Sequence, residues 1–349
     1  MNREKEITIY DLATQCNVSP ATVSRALKNS PEISLVTRKK INALAVKLGY
    51  RHNTFASSLR LQTTNTIGVI VHELNSHFIV SVLAGIEKVA TAAKYNLIIG
   101  HSSETTKLEI ANANNFFHKR VDGLLASLAY DTHDLSHFQV FKDKNIPVVF
   151  FDRVYETEEG TKVIIDNRKA AYQATMHLAE QGCKRIVHVT GNLNRNVYAK
   201  RLEGYRDALA DAKLTFKKEY LIVNELDEDS AVDAARQILK MKPLPDGVFI
   251  TKDLCAAVCM QTLQDAGIKV PGDIAIVGFN NEVISRVVQP KITTIDYPGF
   301  EVGEIACRQL INHLRGVDDA NLTKTIYLKS SLIVRESSNR KNIKLPESS

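Results

Sequence analysis

Residues 18–26, VSPATVSRA, decide how this chain is read. Ser19 places a hydroxyl just ahead of Pro20, and proline suits the first position of a helix, where a backbone N–H would have no partner. Val23, Ala26 and Leu27 then recur at helical spacing and form one inward stripe. The outward side carries Ala21, Thr22, Ser24, Arg25 and Lys28, small and basic groups that suit a DNA groove. Upstream, Ile9, Leu12, Ala13 and Cys16 fall at i, i+3, i+4 and i+7, and Thr8 with Asp11 gives a capping-box pattern, so a two-turn helix precedes the break at 15–17. Two short helices joined by a tight turn are a helix-turn-helix. Downstream, Ser34 caps a third helix, Ile41, Leu44, Ala45 and Leu48 supply its buried face, and Gly49 ends it in the left-handed conformation. Three helices of this size close one small core.

Charge separates a DNA-binding head from a helical bundle with an accidental basic face. Residues 1–61 hold ten Lys and Arg against four Asp and Glu, a net of +6, which equals the net charge of the whole chain. The remaining residues are neutral in sum, so the excess positive charge sits where phosphate neutralisation needs it.

Around these residues the chain resembles the lactose-repressor (LacI/GalR) family of bacterial transcription regulators. The resemblance rests on Tyr10-Asp11, Ala13, Val18-Ser19, Thr22-Val23-Ser24-Arg25, the Ser34 cap and Leu48-Gly49-Tyr50, and extends more loosely to about residue 340. It implies a periplasmic-binding-protein-like body behind the head. It also implies DNA contacts from Thr8, Tyr10, Ser19, Pro20, Ala21, Thr22, Ser24, Arg25 and Lys28, with Pro20 and Ala21 at the positions that read bases. Residues 51–65 would be a hinge, with Asn53 and Ala56 matching its pattern and Leu59 as the apolar wedge that kinks the duplex from the minor groove. Ser57 stands where a basic residue is common, which puts one contact in doubt.

From Ile67 the pattern alternates strand and helix, through TIGVIVHEL, YNLIIGHS, DGLLASLA, NIPVVFFDR and KVIIDN, then RIVHVTG, YLIVNE, DGVFITKD and DIAIVGF. The expected architecture is a small all-α head plus a two-lobed α/β body with parallel, doubly wound sheets. The expected division is 1–50 head, 51–65 hinge, 66–336 body and 337–349 a polar, largely disordered tail.

In such sheets ligands sit beyond the carboxyl ends of the strands. Those ends here carry Asn75, His77, Phe78, Asp152, Arg153, Arg195, Asn196, Arg201, Phe249, Asp253 and Asn280. By the resemblance, Phe78 and Phe249 pack against the faces of a small effector, while Arg195 and Arg201 hydrogen-bond its oxygens. Asn280 stands where many family members place an acid, which argues against a strongly cationic ligand and leaves a neutral or acidic sugar.

Other chemistry is thin. Five scattered cysteines form neither a disulfide framework nor a zinc pattern and fit a reducing cytoplasm. His133 and His137 lie four apart without the glutamate that a metallohydrolase helix carries. No apolar run has membrane length, and the polar start offers no secretory signal. The expectation is therefore a cytoplasmic, non-enzymatic regulator without metal or cofactor, binding operator DNA as a homodimer or dimer of dimers and controlled by a sugar-like effector. A corepressor mode using a purine-like ligand or a partner protein stays open, and a solute-binding protein of transport is the more distant rival.

Overall fold

The structure is a computed structural model that describes residues 7–50, 63–155, 159–317 and 323–340. It divides into two compact units, residues 1–64 and 65–349.

The first unit is a three-helix core. Helix α1 (Ile9–Cys16) starts with a full capping box in which Thr8 and Asp11 satisfy each other's backbone, and it ends at Asn17 in the left-handed conformation, φ 53°. Helix α2 (Pro20–Leu27) follows α1 after three intervening residues, with the Ser19 side chain accepting from Thr22 N. Helix α3 (Leu35–Lys47) is capped by Ser34, whose hydroxyl accepts from Thr37 N, and Gly49 follows at φ 64°. Such a hydroxyl cap is worth about 1 kcal/mol. The buried centre is Leu12, Ala13, Cys16, Val23, Ala26, Ile41 and Ala45, with Leu44 and Leu48 packed on its edge.

The second unit carries two sheets of six strands. The first lobe runs β1 (Thr66–Val71), β2 (Asn96–His101), β3 (Gly123–Ala126), β4 (Val148–Phe151) and β5 (Thr161–Ile165). The second runs β6 (Ile186–Thr190), β7 (Leu221–Val223), β8 (Gly247–Ile250), β9 (Ala275–Phe279) and β10 (Thr293–Asp296). The chain then returns, adding β11 (Lys324–Leu328) to the edge of the first sheet and β12 (Ser331–Ile333) to the edge of the second, so the orders are β11-β5-β4-β3-β1-β2 and β12-β10-β9-β8-β6-β7. Every pairing is parallel except β10 with β12. Parallel strands are covered on both faces, which is why strands such as VVFF and AIVGF read as unbroken apolar runs.

The covering helices follow the alternation. Helices α4 (His77–Ala92), α5 (Thr106–His118) and α6 (Ser136–Asp143) belong to the first lobe; α7 (Asn167–Glu180), α8 (Asn196–Asp211), α9 (Glu228–Lys240), α10 (Asp253–Asp265) and the single turn α11 (Ile284–Val287) belong to the second. Helix α12 (Gly299–Leu314) packs back on α4 of the first lobe. Gly303 permits that approach, since a Cβ there would collide with the carbonyl of Val82. The chain thus crosses between lobes three times, at 165–167, 296–299 and 328–331.

Three features differ from the expectation. Helix α8 starts at Asn196, five residues before the anticipated Arg201, because Arg195 takes the extended N-cap conformation without any side-chain cap to announce it. Helix α7 occupies a stretch where the sequence pattern names no element. At Ser337, where a polar tail was expected to begin, a 3-10 turn (Glu336–Ser338) docks on the second sheet instead. There Ser337 Oγ donates to the Ile276 carbonyl at 2.6 Å and accepts from Thr293 N at 2.9 Å, so Ser337 and Ser338 are fully buried.

Candidate DNA-reading face and interlobe cleft

Ala21, Ser24 and Arg25 of α2, with Lys28 at its C-cap, lie at i, i+3, i+4 and i+7 and so share one face, opposite the buried Val23 and Ala26. Ala21, Arg25 and Lys28 are exposed, Ser24 and Pro20 half-buried. Arg25 pairs with Glu32 at 3.6 Å with both side chains mostly in water, a contact worth little and easily exchanged. Thr22 and Ser19 are engaged with each other, their hydroxyls 2.9 Å apart, and so set where α2 begins. Thr8 likewise spends its hydroxyl on Asp11 at 2.7 Å, while Tyr10 projects into solvent, 69% exposed. Asn53, Ala56 and Leu59 lie outside the described residues.

In the body, the strand ends of both lobes meet at a cleft. Its deep end is a cavity of about 30 Å³, lined by Glu73, Phe78, Asp152 and Arg153 from the first lobe, by Tyr198, Arg201, Lys252 and Asn280 from the second, and by Tyr297 from a crossover. That volume holds about one water. Asp152 and Asn280 end β4 and β9 with φ of 57° and 100°, unusual backbone for residues with side chains and a common mark of functional sites. Phe78 lies against Tyr297 with centroids 4.3 Å apart.

The charged groups of this cavity are already satisfied. Arg153 donates from Nη1 to both Glu104 oxygens at 2.8 and 2.7 Å, from Nη2 to the Tyr198 hydroxyl at 3.2 Å, and lies 4.3 Å from the Tyr130 ring. Arg201 donates from Nε to Asn167 Oδ1 at 2.9 Å and from Nη1 to the Thr251 carbonyl at 3.2 Å, and it stacks 3.7 Å over Phe279. Its burial pulls the guanidinium pKa down from the usual range. Lys252 reaches Glu73 across the lobes at 3.4 Å. Burial opposes both of these charges, yet Glu73 keeps Lys252 above its ordinary value, while His72, Lys252 and Arg153 hold the Glu73 carboxyl well below its own. Outside this cavity the cleft widens to about 700 Å³, lined by Asn75, Glu104, Tyr130, Tyr198, Lys252 and the acidic run Asp227, Glu228 and Asp229.

Of the eleven strand-end residues anticipated for the effector, Phe78, Asp152, Arg153, Arg201 and Asn280 line the deep cavity and Asn75 the outer space. The other five line neither. Phe249 lies inside β8, fully buried and stacked on His188 at 4.8 Å, so the cavity lining begins two residues later, at Thr251. Asp253 accepts from Glu282 N at 2.8 Å and Thr294 Oγ1 at 2.7 Å, and burial raises its pKa well above the usual carboxyl value. Arg195 donates to the Thr132 carbonyl of the other lobe, and Asn196 holds Val154 N at 3.0 Å, so both join lobes. His77 is exposed at the start of α4. Conversely Glu104, Tyr198 and Tyr297 lacked any signal at the sequence level, while Glu73, Tyr130 and Lys252 had only their places just beyond a strand.

His137 does not share a helix with His133: it opens α6 beside Ser136 and contacts the buried Glu109 at 2.9 Å. Among the described residues no group of acids, histidines and cysteines could hold a metal ion, and no helix is long and apolar enough to cross a membrane.

A head of capped helices with a basic outward face, joined in one chain to a two-lobed body with a polar cleft, defines a ligand-responsive DNA-binding regulator. The model for bacterial regulatory proteins of the lacI family matches residues 8–53, and that for a periplasmic binding protein-like domain matches 175–338. Catabolite control protein A of Priestia megaterium is 33% identical over 309 residues, 88% of this chain and 92% of that protein. The ribose operon repressor of Haemophilus influenzae is 29% identical over 95% of this chain and 98% of its own length. The PurR repressor of Vibrio atlanticus is 30% identical over 89% and 93%. Among solved structures, the cellobiose complex of the regulator CelR superposes with a TM-score of 0.73 at 25% identity, over 95% of this chain and all of the other. The operator-bound Lac repressor dimer superposes at 0.85 and 22%, over 96% and 99%, a likeness of fold. The chain belongs to the LacI family of bacterial transcription regulators.

Proposed function

We propose that the protein represses transcription as a dimer whose paired heads read a near-palindromic operator through α2, and that a sugar-like effector in the interlobe cleft controls this binding. The observation that carries the first part is the single stripe of Ala21, Ser24, Arg25 and Lys28 on a helix fixed by Ser19 and Pro20. Arg25 and Lys28 supply donors to bases or phosphates, and the small Ala21 and Ser24 let the helix approach the groove floor. The relatives are named as repressors and a catabolite control protein, which fits this role.

For the cleft, Arg153, Arg201 and Lys252 offer donors, Glu73 and Glu104 acceptors, and Phe78 and Tyr198 apolar faces, the mixed set that a polyhydroxylated ring demands. Cellobiose bound to CelR is consistent with it. Effector and operator compete because each favours a different arrangement of the body, with a coupling of typically 1–3 kcal/mol in such systems.

Arg25→Ala tests the head. Operator affinity should fall by about 1–3 kcal/mol, with the melting temperature of the protein unchanged. An unaltered affinity would remove Arg25 from the interface and with it the proposed reading face.

A further inference from the structure

Among the described residues of the head, 7–50, there are two acids, Asp11 and Glu32, against six Lys and Arg. Asp11 closes the first helix cap, accepting from Thr8 N and Thr8 Oγ1 at 2.7 Å each. Glu32 instead meets the reading face, with Oε2 lying 3.6 Å from Arg25 Nη1. The chain is built to bring it there. Helix α2 ends in a Schellman turn: Asn29 is left-handed at φ 56°, Ser30 N donates to the Arg25 carbonyl at 2.9 Å, and Asn29 N donates to that of Ala26 at 3.0 Å. That turn folds the chain back beside Arg25. Arg38 of α3 then donates to the Asn29 carbonyl at 3.1 Å, Pro31 fixes one backbone angle, and Ile33 packs on the head core. The backbone under Glu32 is thus held on both sides, while its side chain stands in water, 67% exposed.

A carboxylate in this place does not raise affinity for DNA, since it subtracts from the positive charge that phosphates require. What it changes is the kind of partner that Arg25 accepts. A guanidinium presents five donors in a rigid fork, so two can serve O6 and N7 of a guanine while another stays on Glu32. The guanine edge carries no net charge and leaves the carboxylate undisturbed. A phosphate in the same position brings a negative charge next to Glu32, and the two repel. Resting on the reading of α2 as the DNA-reading helix, we propose that Glu32 is a specificity-determining residue that acts through Arg25. It steadies the guanidinium for a base edge and keeps it from settling on the phosphates of unrelated DNA. Its charge therefore weakens non-specific binding more than specific binding.

Glu32→Gln keeps the size of the side chain and removes its charge, at an exposed position where the fold does not depend on it. Full-length parent and variants are titrated over a range of salt against a duplex enriched from a random library and against one of unrelated sequence. Glu32→Gln should tighten the unrelated duplex by about two- to fivefold and steepen its plot of log affinity against log salt by about one. The selected duplex should gain less, so the ratio between the two falls. Glu32→Asp, which retains the charge, should stay with the parent. In an Arg25→Ala background, Glu32→Gln should move both duplexes alike, because the coupling between the two side chains has gone. Equal gains on both duplexes with Arg25 present, or no change on either, would overturn the proposal and leave the reading helix standing. A selected duplex indifferent to Arg25→Ala would instead strike the reading helix, and the proposal with it.

Discussion

Arg25 in the head and Arg201 in the body carry the same group in opposite settings. Arg25 stands in water on α2 with one loose partner, Glu32. Arg201 is buried, held by Asn167 and Thr251 and pressed on Phe279. A DNA-reading residue must be free to exchange its partner for a base or phosphate at little cost, whereas a cleft residue must already point where a small ligand will arrive. The head therefore keeps its functional groups outside the core, and the body builds its own into the core. Function and stability are separable in the first and entangled in the second.

The largest effect expected from this contrast concerns pH. His188, in the middle of β6, is stacked between Tyr205 and Phe249 at 4.9 and 4.8 Å, and burial lowers its pKa from 6.5 to about 3. Because the folded state disfavours the charged ring, this contribution to stability is complete above pH 6.5 and is lost as pH falls toward 3, by roughly 1.4 kcal/mol per unit. Chemical denaturation followed across that range should show it for the body, and His188→Phe should flatten that part of the profile. An unchanged slope in the variant would assign the acid sensitivity to other groups.

Next in size, Arg201→Ala should destabilise the body by about 3 kcal/mol, since it leaves a cavity and frees the partners of a buried charge. It should also abolish stabilisation by any effector found in a thermal-shift screen of sugars, sugar acids and purines. Arg25→Ala is expected to leave stability untouched. If both variants melted alike, the division between an exposed and a built-in site would fail.

How much of this was legible in the sequence follows the same division. The head could be read almost completely, because caps such as Ser19 and Ser34 and the spacing of Val23 and Ala26 act within a few residues of each other. The alternation of strands and helices, and so the two sheets, followed from apolar runs such as AIVGF. Helix α7 was hidden because its buried face, Asn167, Ala170, Ala171, Ala174, Thr175, His177 and Leu178, holds small and polar groups with a single large apolar residue, Leu178. Ser337 read as the start of a tail because its partners, Ile276 and Thr293, lie more than forty residues away.

The cleft was legible only as a place. Phe78, Arg153 and Asn280 could be found because they follow strand ends, and Arg201, inside α8, by the family resemblance. Glu104, Tyr130 and Tyr198 sit on three separate loops or helix starts, and only the fold brings them together. Phe249 failed in the opposite way, by lying two residues too early on its strand, where the side chain faces the core.

Selection of bound duplexes from a random library, with the full-length protein at physiological salt, tests the central claim most directly. The account predicts enrichment of a near-palindromic site. Arg25→Ala should relax the preference at one position of each half-site, and Lys28→Ala should weaken all sequences alike. Recovery of DNA without a preferred sequence, or of a site whose preferences do not respond to Arg25, would contradict it.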